Sequence, residues 1–294
     1  MRKITFVVGI ILVIAVAVVI LLSSLFGIDL VQFSPFNVSV QVGNSPPVIN
    51  SVDFTDVGAI LGEVRNVSIN FSAMDLNGVG NLNDLTARVE IYNSSKGVAP
   101  GMRVNSSCSF TGSSANTRNY TCTIGMWYFD PYGYYIVNAT IADNGGLTAE
   151  NSSKLFNYIP VPGPVVYPNA LGWDPITVSV INNMSNDVLV SNNTGNVNFT
   201  NVVVTAYDLP GEGSGFIYAG NFSVSILNGC SEDIMANSTA LGITGAGLPV
   251  GNLSIVDAGQ EKLYFCIKAI NLDTPATTFS SSNTGGTSWG IDFS

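Results

Sequence analysis

The chain opens on an uninterrupted apolar stretch. Residues 4–22 carry no charged side chain, and fifteen of these nineteen residues are Ile, Leu, Val or Phe. A helix rises about 1.5 Å per residue, so this stretch would span roughly 28 Å, close to the ~30 Å hydrocarbon core of a bilayer. The pattern predicts an N-terminal transmembrane helix within residues 1–28.

A cleaved signal peptide is the alternative for this stretch. A signal peptide has an apolar region of about 7–15 residues that ends in a small-residue cleavage site. Here the apolar run continues past Ser23 and Ser24 to Ile28 without such a site. Arg2 and Lys3 precede it, which predicts a cytoplasmic N-terminus. Both alternatives place the chain from about Asp29 onward outside the cell. The transmembrane helix would in addition hold the chain at the cell membrane by a single span.

Beyond the apolar stretch, apolar and polar residues alternate with the period of two that is typical of strands. Residues 29–45 are interpreted as a stalk, in which the alternation over 36–42 favours one strand. A first β-domain is predicted over residues 46–159. Its predicted strands are residues 48–52, 66–73, 87–92, 108–110, 120–124 and 134–143.

A proline-rich linker, residues 160–164, separates this domain from a second one over residues 165–294. Three prolines within five residues favour an extended, stiff spacer. The second domain ends in a Ser/Thr/Gly-rich tail whose last residues, 288–293, are predicted to add a strand. The other predicted strands are residues 176–181, 187–190, 198–207, 222–227, 252–256 and 262–271. Short strands without helical periodicity predict an all-β fold with two tandem antiparallel β-sandwiches.

The first domain resembles a known class of surface module. The segments that carry the resemblance are Pro46-Pro47-Val48-Ile49, Ala73-Met74-Asp75-Leu76-Asn77-Gly78 and residues 135–146. They resemble immunoglobulin-like and cadherin-like modules of membrane-anchored prokaryotic, especially archaeal, surface proteins. The resemblance implies immunoglobulin-like sandwiches and a surface location, but no particular activity, because such modules serve many roles.

The charge balance narrows the class of partner. Only 10% of residues are charged, and from Asp29 onward 20 acidic side chains face eight basic ones, a net charge of about −12. Nucleic acid is excluded as a partner because its phosphates require basic patches. Adsorption to anionic lipid is disfavoured for the same reason. The expected partners are the bilayer, through the N-terminal helix, and a protein or glycan surface.

Asparagine is abundant, and fourteen asparagines lie in N-x-[ST] sequons. Such sequons in an exported protein predict N-glycosylation, although an Asn- and Ser-rich β protein also produces sequons by composition alone. Asn70 and Asn138 lie inside strand-like runs and are left out of the predicted sites. The predicted sites are Asn37, Asn66, Asn93, Asn105, Asn119, Asn151, Asn183, Asn192, Asn198, Asn221, Asn237 and Asn252.

Four cysteines in an oxidising compartment predict two disulfides. Three pairings are open. The domain boundary separates the first two cysteines from the last two, which favours Cys108–Cys122 and Cys230–Cys266.

Calcium is the metal with the best sequence argument. The chain has no histidine, so His-dependent nucleophilic triads and His-based metal sites are excluded. Ca²⁺ binds six to eight oxygen atoms, and Asp75, Asn77 and Asp84 concentrate oxygens in one inter-strand loop. The alternative is a plain turn, which uses the same residue types. No other cofactor is expected.

Six aromatic side chains crowd residues 127–135. They would fill the core at a corner of the sandwich or stack on a sugar. Asp130, together with Asp53 and Asp56, supplies carboxylates for a hydrolytic pair, although each also suits a turn.

Together these features predict a non-catalytic, membrane-anchored extracellular glycoprotein with a structural or adhesive role at the cell surface. The first alternative is a filament or pilus-like subunit that assembles through its apolar N-terminal segment or by strand addition. The second is a carboxylate-based extracellular hydrolase.

Overall fold

A computed structural model of the chain describes residues 13–19, 21–22, 25–26, 36–93, 103–230, 233–252 and 255–294. The chain divides into two compact units, residues 1–43 and 44–294. In the first unit the described residues between 13 and 26 are helical and exposed. Within the described part of the chain, no helix is both long and apolar enough to span a membrane. Of the nineteen residues of the predicted anchor, 4–22, ten lie outside the described residues.

The alternating segment 36–42 forms no strand, so that prediction is wrong. Phe36, Val38, Val40 and Val42 lie on alternate positions, as the sequence pattern requires, but they are between 73% and 84% exposed. Alternation specifies a strand only where a sheet buries its apolar row, and no sheet covers this one.

The first β-domain is a sandwich of two sheets. One sheet has the strand order β1-β3-β7-β6 and the other the order β2-β9-β8-β4-β5. All neighbouring strands are antiparallel except β2 and β9, which are parallel. The strands are β1 (Val48–Asp53), β2 (Val57–Gly58), β3 (Val64–Met74), β4 (Leu82–Asn93), β5 (Arg103–Asn105), β6 (Ser109–Ser114), β7 (Thr117–Trp127), β8 (Gly133–Asp143) and β9 (Thr148–Ile159). A short 3₁₀ turn, Val79–Asn81, precedes β4.

The inner faces of the two sheets share one hydrophobic core. Strand β3 contributes Ile69 and Phe71, and β7 contributes Tyr120, whose ring stacks on Phe71 at 4.9 Å between centroids. From the other sheet, β8 contributes Val137 and Ile141. Each fully buried side chain of this size stabilises the fold by about 1.5–3 kcal/mol relative to its exposed state. The alternation in the sequence therefore marks the inner face correctly.

The turn between β8 and β9 follows from its residues. Gly146 adopts a φ of +85°, which favours glycine, and its N–H donates to the Asp143 carbonyl at 3.1 Å. The Asp143 carboxylate accepts from the Leu147 N–H at 2.8 Å. This turn brings Asp143 to the same end of the sandwich as the loop after β3.

The second β-domain has smaller sheets. Strands β10, β12, β18 and β11 form one sheet in that order, with β16 also paired to β18, and β17-β13-β19 and β14-β15 form two others. The strands are β10 (Pro164–Tyr167), β11 (Ile181–Met184), β12 (Leu189–Asn193), β13 (Val202–Ala206), β14 (Leu209–Pro210), β15 (Phe216–Ile217), β16 (Phe222–Ser225), β17 (Thr239–Gly242), β18 (Gln260–Ala269) and β19 (Gly290–Phe293). A 3₁₀ turn, Ala219–Asn221, precedes β16.

The C-terminal strand predicted from the sequence is confirmed. Strand β19 pairs with β13, with Ile291 opposite Val204. The preceding Trp289 packs edge-on against Phe222, at 5.0 Å between ring centroids, and its Nε1–H donates to the Tyr207 carbonyl at 2.8 Å. The tail is therefore part of the second core.

Two other predicted strands are wrong. Residues 176–180 are not in a strand, and β11 begins only at Ile181. The described part of 252–256 is not a strand either. Val178 and Val180 remain exposed, and so do Ile255 and Val256. In both places a short alternation lacks a neighbouring strand that would bury it.

Candidate functional site

The predicted calcium loop lies directly after β3. The Asp75 side chain is only 1% exposed. Its Oδ1 accepts a hydrogen bond from the Asn77 N–H at 2.7 Å, and its Oδ2 accepts one from Asn81 Nδ2 at 3.0 Å. Asn77 Oδ1 accepts from the Ser45 N–H at 2.7 Å. The carboxylate is thus used to fold the loop as an Asx turn.

A second buried carboxylate lies at this end of the sandwich. Asp143 Oδ2 accepts from Asn44 Nδ2 at 2.7 Å. The Asn44 amide oxygen in turn accepts from Asn81 Nδ2 at 2.8 Å. Two amides therefore link the two carboxylates, and we name Asn44, Asp75, Asn81 and Asp143 the carboxylate–amide cluster.

Asp84, the third predicted calcium ligand, has other partners. Its Oδ1 accepts from Arg118 Nη1 and from the Tyr120 hydroxyl, both at 2.6 Å. Burial, and then the bonded Asp84, raise the pKa of Tyr120. The hydrogen bond with Asp84 likewise raises the pKa of Arg118. The structure thus joins Asp75 and Asn77 in one loop, while the Asp84 carboxylate bridges the two sheets.

The donor set at the carboxylate–amide cluster does not match a calcium shell. Ca²⁺ requires oxygen lone pairs, whereas the Asn44 and Asn81 amides each point an N–H group at a carboxylate. Among the described residues, no group of three or more His, Cys, Asp or Glu side chains is placed to hold a metal ion. The hydrogen bonds of the cluster join the start of the domain, the loop after β3 and the end of β8.

Sequence reasoning missed an ion pair between a half-buried arginine and a buried aspartate at the other end of the sandwich. Arg103 Nη2 lies 2.5 Å from Asp130 Oδ1, and Asp130 Oδ2 accepts from the Trp127 N–H at 2.7 Å. Burial raises the pKa of Asp130, against the opposing effects of the Trp127 N–H and Arg103. Burial also raises the pKa of Tyr135, to about 12. The signal in the sequence was an isolated Asp-Pro step, which does not reveal its partner.

The carboxylates considered for hydrolysis all have structural partners. Asp130 is held by Arg103, and Asp53 accepts from Lys154 Nζ at 2.9 Å. Asp56 accepts from the Asn157 N–H at 2.9 Å. Each carboxylate fastens a loop or a strand edge.

The aromatic cluster over residues 127–135 is not one flat surface. Trp127 stacks on Phe129 at 5.7 Å between centroids, and Tyr128 meets Phe129 edge-on at 5.0 Å. Tyr135 is buried in the core, and its hydroxyl donates to the Pro131 carbonyl at 2.6 Å. Tyr132 and Tyr134 are the two that are mostly exposed. Of the six, only Tyr135 is part of the core, while Trp127, Tyr128 and Phe129 pack on one another half-buried at the surface.

Both expected disulfides are present. Cys108–Cys122 joins the residue before β6 to the middle of β7, with the Cα atoms 4.5 Å apart. Cys230–Cys266 joins the loop after β16 to β18, with the Cα atoms 5.3 Å apart. Each bridge lies within one β-domain, as the order of the cysteines favoured.

The sequon asparagines occupy the surface. All fourteen acceptors are exposed or half-exposed, whereas the buried Asn193 and Asn196 are not sequon acceptors. Some sequon amides already bond the protein: Asn105 Nδ2 donates to the Thr123 carbonyl at 2.8 Å, and Asn221 Nδ2 to the Ala269 carbonyl at 2.7 Å. Asn138 is half-buried and its Oδ1 has no partner.

Comparison with known proteins does not identify a family. No protein-family model matches the chain, and no curated protein matches it significantly. Among solved structures, dimeric latent PorU from Porphyromonas gingivalis is 12% identical, with a TM-score of 0.28, over 81% of this chain and 20% of PorU. The partial N-terminal region of an enterococcal surface protein is 8% identical, with a TM-score of 0.20, over 89% of this chain and 97% of that one.

The chain thus spans about a fifth of the PorU chain that it matches. TM-scores this low carry no inference about function, which has to come from this chain's own residues.

Proposed function

We propose that this chain is a non-catalytic, membrane-anchored extracellular glycoprotein with a structural or adhesive role at the cell surface. The observation that carries the proposal is the distribution of asparagine. Every sequon acceptor asparagine reaches solvent, and the asparagines buried at 0% and 2% exposure, Asn193 and Asn196, are not sequon acceptors. Solvent exposure of the acceptor side chains is what glycosylation at these sequons requires.

Two further features support an extracellular location. Both disulfides fit an oxidising compartment. The surface carries few charges, and glycans would supply the solubility that charged side chains supply in most proteins. The proposed anchor is the apolar stretch 4–22, with the N-terminus in the cytoplasm, and the proposed modules are two immunoglobulin-like sandwiches.

Mass spectrometry of the native protein tests this proposal. Intact mass, measured reduced and non-reduced, reports the glycans, the disulfides and retention of the anchor together. Glycopeptide mapping should find modification at exposed sequons such as Asn66, Asn119 and Asn237. Asn116 and Asn201 are matched controls, since both are exposed but lie outside sequons, and they should remain unmodified.

Protease added to intact cells gives the independent test of location. Residues from Asp29 onward should be digested without lysis. A bare polypeptide in the mass spectrum, or digestion only after lysis, would contradict the proposal.

The exposed segment 36–42 favours one second candidate, a filament subunit. Its backbone pairs with no strand, and its four alternate apolar side chains face solvent. Adding such a segment to a sheet edge of another copy would bury that apolar row, which is how strand addition works.

Electron microscopy of the full-length protein in detergent tests this candidate with two variants. Val40→Lys places a charge in the apolar row, whereas Gln41→Lys places it on the opposite side of the same segment. A filament built by strand addition is lost in Val40→Lys and kept in Gln41→Lys. Wild-type protein that forms no filaments would exclude the candidate.

A further inference from the structure

The proline-rich linker between the two β-domains is not a free spacer. The Val161 N–H donates to Asn196 Oδ1 at 2.7 Å, and the Asn196 N–H donates back to the Val161 carbonyl at 3.1 Å. Asn196 Nδ2 also reaches the Ile159 carbonyl at 3.3 Å. One buried asparagine of the second domain therefore bonds the backbone on either side of Pro160.

The same loop of the second domain also bonds the end of the linker and the first domain. The Thr194 N–H and hydroxyl both donate to the Gly163 carbonyl, at 2.7 and 2.8 Å. The Thr194 carbonyl accepts from the Gly62 N–H at 2.8 Å. Gly62 lies between β2 and β3 of the first domain, so Thr194 joins the first domain and the linker at one residue.

Asn193 fixes this loop to the second domain. Its side chain is fully buried, and its Nδ2 donates to the carbonyls of Val197 at 2.7 Å and Pro249 at 3.2 Å. Its Oδ1 accepts from the Gly195 N–H at 3.0 Å. The loop that binds the linker is thereby held within its own domain. We name residues 193–196 the joint loop.

The linker and the joint loop approach each other at two glycines. A Cβ atom on Gly163 would lie 2.6 Å from the Gly195 nitrogen and 2.6 Å from Leu61 Cδ2. A Cβ atom on Gly195 would collide with the Val161 carbonyl oxygen. The obstacles include backbone atoms on both sides, so a larger residue separates the two segments.

A second contact crosses between the domains away from the linker. Tyr128, in the loop after β7, places its hydroxyl against Gly251, where an added Cβ would lie 3.3 Å from that oxygen. Together with the bond between Gly62 and Thr194, this contact gives the second domain two contacts with the body of the first domain, which restrict rotation about the linker.

From these contacts we infer that the joint loop locks the 160–164 linker and holds the two β-domains in one fixed orientation, so that the two domains move as a single rigid body. Domains joined by an exposed linker ordinarily move relative to each other. Here the joint loop bonds the backbone at Ile159, Val161 and Gly163, and a surface protein built this way keeps its outer domain at a fixed angle. The inference concerns geometry and holds whether or not the chain carries glycans.

Pulsed electron–electron double resonance on the full-length protein in detergent tests whether the joint loop fixes the orientation of the two β-domains. Spin labels on non-natural amino acids at the exposed Ser113 and Thr287 report the distance between the domains without adding a cysteine. Wild type should give one narrow distance distribution. Gly195→Ala and Gly163→Ala should broaden it and speed cleavage after Pro160 and Pro162 by a proline-specific endoprotease by about 5- to 150-fold, the range of effect for an overpacked site.

Gly172→Ala is the matched control, because an added Cβ there meets nothing within 4 Å. It should leave both readouts as in wild type. Tryptophan emission, to which Trp173 and Trp289 of the second domain contribute together with Trp127 of the first, reports whether each variant remains folded. If a glycine variant unfolds, Asn196→Ala takes its place, because it removes the side-chain hydrogen bonds to the linker without adding bulk. This variant should likewise broaden the distance distribution and speed cleavage. A broad distribution in wild type, or unchanged distances in folded variants, would overturn the inference.

Discussion

The Asn44 side chain donates a hydrogen bond to the carboxylate of Asp143, 99 residues later, at 2.7 Å. Because the Asn44 oxygen already accepts from Asn81, the amide cannot turn over without breaking that second bond. The orientation of Asn44 is therefore fixed, and with it the point where the chain enters the first sandwich.

Asp143→Asn tests this relationship with almost no change of shape. In one orientation the new amide points its NH₂ group at the NH₂ group of Asn44, and in the other it points that group at the Leu147 N–H. In either orientation one of the two hydrogen bonds is lost, so one buried polar group stays unsatisfied. We expect the free energy of unfolding to fall by about 1–3 kcal/mol, measured by urea denaturation. Asp273→Asn, at an exposed position, is the control and should change it by no more than about 0.5 kcal/mol. Equal effects would show that the cluster contributes nothing.

Calcium should leave the melting temperature of the wild-type protein unchanged. The Asp75 and Asp143 carboxylates already accept N–H groups, and a cation would have to displace those bonds. Thermal unfolding in EGTA and in excess CaCl₂ measures this. If the protein had a calcium site, free Ca²⁺ at a hundred times the dissociation constant of that site would raise the free energy of unfolding by about 2.7 kcal/mol. A rise in melting temperature that Asp75→Asn abolishes would instead support the calcium site predicted from the sequence.

Long alternations allowed the first sandwich to be predicted. The runs over 66–73 and 134–143 are long enough to specify both the strand and its inner face, and β3 and β8 follow them. The runs over 36–42 and 176–181 are as regular locally, but nothing in them encodes a neighbouring strand. Tertiary pairing decides such segments, and a single sequence does not reveal it.

The candidate site was predictable only where it is local. Asp75 and Asn77 share a turn, so their spacing reveals their proximity. Arg118 and Asp84 are 34 residues apart and meet because β7 and β4 lie in facing sheets. Asn196 gave no signal, because its role depends on a linker 35 residues earlier.

Removing the two disulfides should have unequal effects. The two cysteines of Cys108–Cys122 are 14 positions apart in the sequence, and those of Cys230–Cys266 are 36 apart. In the chain-entropy model each stabilises the fold by about 3–4 kcal/mol, and the longer loop gives about 0.8 kcal/mol more. Paired Cys→Ala variants, compared by denaturant unfolding, measure the two effects. A larger loss from the shorter loop would show that native packing, and not loop length, sets the contribution of each bridge.

The pH dependence of stability should reveal the buried Asp130. Burial raises its pKa above the ordinary value of 3.8, despite Arg103 and the Trp127 N–H. The folded state therefore binds this proton more tightly than the unfolded state, and the contribution of Asp130 to stability falls as pH rises from about 3.8 through the raised pKa. We expect the unfolding free energy of wild type, relative to Asp130→Asn, to be greatest at low pH and to decline to a plateau. Urea denaturation of both proteins between about pH 3 and pH 7 measures this difference, in which the other titrating groups cancel. A difference that rises with pH would mean that attraction to Arg103 outweighs burial and that the pKa of Asp130 is lowered.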